Sequence, residues 1–182
     1  VHDDIARAMR LAEYQAYLPN DLATLLKINI SWQHYYPACS TTPWQLEGVI
    51  KTLRADGFGE LIPTHNGTVV VDAREGAVNN KHSVVEEKHG LESIHLESVQ
   101  WIPYKPKARM IVLDKVYPEG IYIPEVMFDK NIIHLPTAKT HVFTTMTGAM
   151  KNAFGGLLHR KRHWTHSVIH ETLVDLLAIQ KE

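Results

Sequence analysis

The stretch TLLKINISWQHYYPACSTTPWQLEGVIKTLRADG, residues 24 to 57, carries the clearest structural signals in the sequence. It opens with the apolar run TLLKINI, which is typical of a buried strand. Thr42 then predicts a helix N-cap, Pro43 suits the first helical position, and Gln45 completes a capping box. Gly57 predicts the end of this helix. The stretch therefore predicts one strand–loop–helix unit.

The same alternation extends to both sides of this unit. Helical spacing marks residues 3–18 before it, and residues 73–89 form a polar, weaker helical segment after it. Further helices are predicted from Thr145 or Thr147 to Gly155, and over 164–179. The other predicted strands are ELIPTHNG (60–67), Ser93–Val99, Ala108–Leu113, a hairpin over Tyr117–Ile123, and Asn131–Leu135. Alternating units predict an α/β fold with a mostly parallel sheet and helices on both faces, in a single domain over residues 1–182.

Composition excludes several classes of protein. A net charge of -1 argues against a wholesale nucleic-acid or membrane binder. No apolar run approaches the ~20 residues that a membrane span needs. The single cysteine, Cys39, excludes an intrachain disulfide and an iron–sulfur cluster held by this chain alone. It fits a cytoplasmic setting. The chain opens at Val1 rather than Met and ends just after the apolar run LVDLLAI, so we expect it to be truncated at both ends.

One segment has an unusual charge distribution. No Asp or Glu occurs between Lys130 and His170, although this segment holds six Lys or Arg and six of the 12 histidines. Because no acid within the segment competes for these cations, they remain free for an external anion. The distribution therefore favours a local anion site.

In parallel α/β sheets, ligands bind where loops leave the carboxyl ends of the strands. Two such loops follow TLLKINI and NIIHLP. Period two places Lys27 and Asn29 on one face of the first strand. After the second strand, Lys139 and His141 are suited to bind an oxyanion or to act as acid and base.

The segment TTMTGAMKN, residues 144–152, follows this second loop. Thr147 and Gly148 precede a predicted helix whose free N–H groups and dipole favour an anion, and Lys151 lies one turn further on. The alternative is a plain N-cap with a solvated lysine. The predicted catalytic residues are His141 and Lys151, and the predicted ligand-binding residues are Lys27, Asn29, Lys139, Thr147, Gly148, Asn152 and Arg160.

The run HRKRHWTHSVIHE, residues 159–171, permits other interpretations. On a helix, His163, His166 and His170 lie within about 60° of one face, a spacing suited to a divalent metal. The alternative is that they fill space beside an apolar stripe. The sequence therefore does not determine whether a metal is bound or which residues hold it. Nucleic-acid binding through residues 159–163 ranks last, because the run is short and the rest of the chain is acidic.

These pieces, in this order, resemble the family known as domain of unknown function 362. The matching motifs are LKIN, STTP, HLPTAKTHVFTTMTGAMKNAFGG and HRKRHWTH, within residues 24 to about 178. Ile28 replaces the proline of the family's Lys-Pro-Asn, and Thr137 replaces the first lysine of its LPKLKTH motif. Many members also carry a cysteine-rich ferredoxin-like module. This chain lacks it, so the electron-transfer role that such a module implies does not carry over.

Three functions follow as hypotheses. The first is an enzyme that acts on a small carboxylate or phosphate, with or without a metal. The second is a non-catalytic binding or redox-accessory module in which the same cationic pocket holds a ligand or docks an acidic partner. The third is nucleic-acid binding. A homo-oligomer is compatible with each of them.

Overall fold

The computed structural model describes residues 1–68, 70–156, 158 and 161–182. The strands are β1 (Thr24–Ile28), β2 (Leu61–His65), β3 (Ile94–His95), β4 (Trp101–Tyr104), β5 (Ile121–Pro124), β6 (Asn131–Leu135), β7 (Lys139–His141) and β8 (Thr145–Thr147). The helices are α1 (His2–Leu11), α2 (Pro43–Ala55), α3 (Ala73–Asn79), α4 (His82–Lys88), α5 (Leu113–Val116), α6 (Ala149–Phe154) and α7 (Ile169–Gln180). Short 3₁₀ segments cover Tyr14–Ala16, Glu125–Met127 and Arg162–Val168.

Four strands form a parallel sheet in the order β3-β2-β1-β6. β1 pairs with both β2 and β6, and Thr24 lies opposite Leu61 on one side and Asn131 on the other. The predicted buried strand therefore occupies the interior of the sheet. Two further strand pairs, β4-β5 and β7-β8, are antiparallel. The prediction of an α/β fold with a mostly parallel sheet is confirmed.

Both faces of the sheet are covered by helices. Leu25 packs into a core that includes Phe154 of α6 and Leu176 of α7. The next residue, Leu26, points to the opposite face and joins a second core with Leu46 of α2. Because successive side chains of a strand alternate between faces, a strand such as β1 that is buried on both faces requires a layer on each side of the sheet. The prediction of helices on both faces is confirmed, whereas the single domain over residues 1–182 stays a prediction.

Helix α2 begins where the sequence predicts. The Thr42 hydroxyl accepts a hydrogen bond from the backbone N–H of Gln45 at 3.3 Å, and Pro43 opens the helix. The Gln45 side chain reaches the Pro136 carbonyl at 3.4 Å. This contact joins the start of α2 to the loop after β6. Gly57 has φ +85°, the left-handed conformation that ends helices.

Several local predictions differ from the structure. The segment 73–89 is two helices, since Lys81 has φ +65° and interrupts them. No strand covers 108–113, because the Asp175 carboxylate accepts the amides of residues 111, 112 and 113 at 2.8–3.0 Å and starts α5 there. The prediction of a hairpin over 117–123 is also wrong. Strand β5 pairs instead with β4, which lies earlier in the chain.

The predicted helix start at Thr145 or Thr147 is also wrong. Residues 139–147 form the β7–β8 hairpin, in which Lys139 lies opposite Thr147 and His141 opposite Thr145. Thr145 has φ +63°, which is incompatible with a right-handed helix. Helix α6 therefore begins at Ala149. Likewise, the helix predicted from Trp164 is α-helical only from Ile169 onward, after a 3₁₀ segment.

Of the helices in the described part of the chain, none combines the length and the apolar character that a membrane crossing demands.

Candidate functional site

Strands β1 and β6 bring the two predicted ligand loops together. They are neighbours in the sheet, with Ile28 opposite Leu135, so the loops leave the same edge side by side. The Lys139 ammonium donates to Asn29 Oδ1 and to the Cys39 carbonyl, both at 2.7 Å. The structure thus joins two residues predicted to bind ligand.

Thr41 holds this junction in place. Its hydroxyl donates to the Leu135 carbonyl and accepts the Asn29 amide at 2.9 Å. Its own amide donates to the Asn29 carbonyl at 2.9 Å. Since Lys139 is half-buried and two of its three N–H groups are used by protein oxygens, its main contact is with the loop of β1. Burial lowers the Lys139 pKa below its ordinary value.

A row of three histidines, two of them buried, lies behind Thr41. The His82 ring donates from Nε2 to the Thr41 carbonyl at 2.6 Å, and burial lowers the His82 pKa to about 4. His65 Nε2 lies 2.6 Å from the Glu86 carboxylate, and its ring stacks on His95 at a centroid distance of 5.2 Å. Sequence reasoning missed this row, because its members are far apart in the chain and no motif links them.

Lys27 is buried within the sheet, with 1% of its surface exposed. Its ammonium donates to the Ile28 carbonyl at 2.9 Å. Burial, and next the positive charge of Arg162, lower the Lys27 pKa to about 7. Within the described residues no carboxylate comes within 4 Å of it. Lys27 therefore lies beneath the candidate site rather than in its wall.

The start of α6 differs from the predicted anion site. This helix has only six residues, and Gly148 before it is extended, with φ −150°. Thr147 is buried, and its hydroxyl has no hydrogen-bond partner in the described structure. Asn152 is also buried and donates to the Lys27 carbonyl at 2.8 Å. Asn152 thus ties α6 to β1, and a helix this short contributes only a small dipole.

A cavity lies beside the β7–β8 hairpin. It has a volume of about 690 Å³ and is bounded by the hairpin, α6, the loop 66–68 and the 3₁₀ segment Arg162–Val168. We call it the hairpin cavity. Its ionisable lining residues among those described are Glu97, His141, Lys151, Arg162, His163 and His166. Both predicted catalytic residues, His141 and Lys151, thus face one space.

Two cations dominate the hairpin cavity. Arg162 is partly buried and donates from Nη2 to the Gly67 carbonyl at 2.8 Å. The Lys151 ammonium lies 5.0 Å from the centre of the Phe154 ring. Burial lowers the pKa of both groups, and their mutual repulsion lowers that of Lys151 further. In the part of the chain that the structure describes, neither cation has a carboxylate within salt-bridge distance. The carboxylate of Glu97 accepts the Gly67 amide.

Three imidazoles line the cavity, and two of them have lowered pKa values. Burial and then the Lys151 charge lower the pKa of His141 and of His166 below the ordinary 6.5, so both favour the neutral form. His141 Nδ1 accepts the Phe143 amide at 3.2 Å, which assigns its proton to Nε2. His166 stacks between Phe143 and Phe154 at centroid distances of 4.4 and 5.8 Å.

The histidine run does not form the predicted metal face. His163 and His166 lie on the 3₁₀ segment and line the hairpin cavity, whereas His170 lies on α7 and is exposed. The described residues contain no group of three His, Cys, Asp or Glu placed to hold a metal ion. The metal-assisted form of the hypothesis therefore gains no support from this geometry.

The basic run 159–163 is only partly described. Arg160, predicted to bind ligand, and His159 lie outside the described residues. Arg162 turns inward to the Gly67 carbonyl and His163 lines the cavity, while Lys161 lies 4.6 Å from the Trp164 ring centre. The described part of the run is therefore not one outward-facing strip of charge of the kind that nucleic-acid binding favours.

Comparison with known proteins identifies the family but gives no characterised relative. Neither a curated protein nor a solved structure matches the chain. One family model matches, and it spans residues 24–181. That range includes β1, both ligand loops, the β7–β8 hairpin and the hairpin cavity. The chain therefore belongs to the family described as domain of unknown function (DUF362).

Proposed function

We propose that the hairpin cavity binds a small anionic ligand, a carboxylate or a phosphate, and moves a proton on it. The observation that carries the proposal is the placement of Lys151 and Arg162 in one partly enclosed cavity, without a carboxylate partner among the described residues. Unpaired cations held away from bulk water attract an anion more strongly than exposed ones do.

Different side chains bind the anion and transfer the proton. Lys151 and Arg162 supply the charge, and Arg162 presents a planar guanidinium that suits carboxylate and phosphate oxygens. His141 carries its proton on Nε2, from which it donates to a ligand. His166 is held as a neutral imidazole, the form that accepts a proton near neutral pH. This arrangement favours an enzyme over a module that only retains a ligand.

The remaining predicted residues have supporting roles in this proposal. Lys139 and Asn29 fasten the hairpin to the loop of β1, and Asn152 fastens α6 to the same strand. Lys27 lies below the cavity, where its charge adds to the field of Arg162 and Lys151. The binding groups thus sit on a scaffold anchored to the centre of the sheet.

Calorimetric titration with inorganic phosphate at low ionic strength tests this proposal. Wild type is expected to bind phosphate at one site, and Lys151→Met is expected to weaken binding roughly tenfold or more, since it removes a charged hydrogen-bond donor. Lys105→Met is the matched control, because Lys105 is exposed, lies outside the cavity and carries the same charge. Equal affinity in wild type and Lys151→Met would contradict the proposal.

A further inference from the structure

The hairpin cavity is much larger than a simple oxyanion. Its volume is about 690 Å³, whereas an inorganic phosphate occupies only a few times the roughly 30 Å³ of a water molecule. Cavities of this size hold organic ligands with tens of atoms. An anion bound at Lys151 and Arg162 therefore leaves most of the space for a second, uncharged part of the ligand.

Aromatic side chains form part of the walls of that space. Trp101, Phe143 and Phe154 line the cavity beside the two cations. The Trp101 indole N–H donates to the Leu96 carbonyl at 3.0 Å, so the polar edge of this side chain is already satisfied and its ring offers apolar surface. Phe154 is buried and lies against Lys151, which places an aromatic ring next to the anion position.

Phe143 is the aromatic group best placed to contact a ligand. One of its faces is covered by the His166 ring, at a centroid distance of 4.4 Å and an interplanar angle of 11°. The His141 ring also lies 6.0 Å from the Phe143 ring at an interplanar angle of 51°, yet the residue keeps 47% of its surface exposed and lines the cavity. A phenyl ring with one face packed and half of its surface free is a ready stacking surface for a second flat ring.

We propose that the ligand of the hairpin cavity is an anion that carries a flat aromatic ring, with the ring against Phe143 and the anionic group at Lys151 and Arg162. This inference rests on the proposed function, because it places the anion at the same two cations. It adds the chemical class of the rest of the ligand. Aromatic stacking favours planar rings over saturated rings of equal size, and this difference makes the inference testable.

Three phosphate monoesters at pH 8.5 separate ring stacking from charge and from simple apolar contact. Methyl, cyclohexyl and phenyl phosphate carry the same anionic group and differ in the attached body. We expect phenyl phosphate to bind wild type about three- to tenfold more tightly than methyl phosphate, and also more tightly than cyclohexyl phosphate. Calorimetry of the full chain measures each affinity.

Phe143→Ala is the decisive variant, because Phe143 lies at the exposed hairpin turn and its loss leaves the core intact. It is expected to abolish the preference for phenyl phosphate and to leave methyl phosphate binding unchanged. Val142→Ala, on the same turn and 86% exposed, is the control and should keep the preference.

The outcomes distinguish the two proposals. If wild type binds all three esters equally and Lys151→Met weakens them, the ring inference is wrong and the anion site stands. A phenyl preference that survives in Phe143→Ala also overturns the ring inference. Binding of no ester removes the proposed function, and the ring inference falls with it.

Discussion

The Lys139 ammonium lies 2.7 Å from Asn29 Oδ1, although 110 residues separate the two in the chain. The contact exists because β1 and β6 are parallel neighbours, so the segments that follow them leave the sheet at the same edge. It fixes the base of the β7–β8 hairpin, whose other residues form one wall of the hairpin cavity. The cavity therefore depends on the pairing of distant strands.

The Lys139–Asn29 contact should be measurable as a coupling energy. In a double-mutant cycle with Lys139→Met and Asn29→Ala, we expect a coupling of about 1 kcal/mol in the free energy of unfolding, the usual size for a partly buried hydrogen bond. Urea denaturation of the four proteins gives this value. Asn29→Ala also removes the hydrogen bond that the Ser31 hydroxyl donates to Asn29. The cycle cancels this loss, because it occurs with and without Lys139. Strict additivity would show that the two side chains do not interact in solution.

The buried ammonium of Lys27 should make stability depend on alkaline pH. Its folded-state pKa is about 7, below the unfolded value of 10.5, so between these values the unfolded chain binds the extra proton. Stability should therefore rise as pH increases from 7 towards 10. Lys27→Met removes the buried charge and should be more stable than wild type at pH 7, by an amount on the order of a few kcal/mol.

The comparison of Lys27→Met with wild type is made by chemical denaturation at pH 7 and pH 10. The advantage of the variant should shrink at the higher pH, because wild-type Lys27 is neutral in the folded state there and begins to lose its proton in the unfolded state as well. A constant difference at both values would mean that the folded-state pKa of Lys27 is not lowered.

His82 should contribute to acid sensitivity. Its folded pKa of about 4 lies below the ordinary 6.5, so its contribution to stability is complete above 6.5 and is lost as pH falls towards 4. His82→Gln retains an N–H donor that can reach the Thr41 carbonyl, but it cannot titrate. We expect this variant to lose less stability than wild type between pH 7 and pH 5, measured by urea denaturation. His134, whose pKa is also about 4, remains in both proteins as an internal reference.

Anion affinity should increase as pH falls. Lys27 gains its proton near pH 7, and His141 and His166 gain theirs below 6.5 because burial lowers their pKa. Each proton adds positive charge at or beneath the cavity. Sulfate, whose charge is constant over this range, should therefore bind more tightly at pH 7 than at pH 8.5, and more tightly again at pH 5.5.

Variants separate the two stages of this increase. Lys27→Met should remove most of the change between pH 8.5 and 7, and His166→Gln should reduce the change between pH 7 and 5.5. Circular dichroism at each pH checks that the protein remains folded. A sulfate affinity that is independent of pH in wild type would show that none of the three groups acts on the bound anion.

Local signals in the sequence predicted the central architecture. TLLKINI is a largely apolar run and becomes an inner strand buried on both faces, and Thr42 with Pro43 starts α2 as expected. The absence of acids between Lys130 and His170 directed attention to the segment that contains the hairpin and the three histidines of the cavity. The strand and helix predictions succeeded because they depend on neighbouring residues and on burial alone, whereas the anion site stays a prediction.

The remaining features depend on contacts between distant residues. Nothing near residues 111–113 indicates that the Asp175 carboxylate will accept their amides and prevent a strand. The threonines at 144–147 suit a helix cap equally well until β8 pairs with β7. Arg162 looked like one more charge in a basic run, and only its bond to the Gly67 carbonyl reveals that it faces the cavity.

The most direct test of the account is to locate a bound anion in crystals of the protein. Tungstate mimics phosphate, and its anomalous scattering identifies its position without ambiguity. The account predicts one strong tungstate peak in the hairpin cavity, with its oxygens within hydrogen-bonding distance of Lys151 Nζ and the Arg162 guanidinium. A peak at Lys139 and Asn29 instead, or an empty cavity at saturating tungstate, would contradict it.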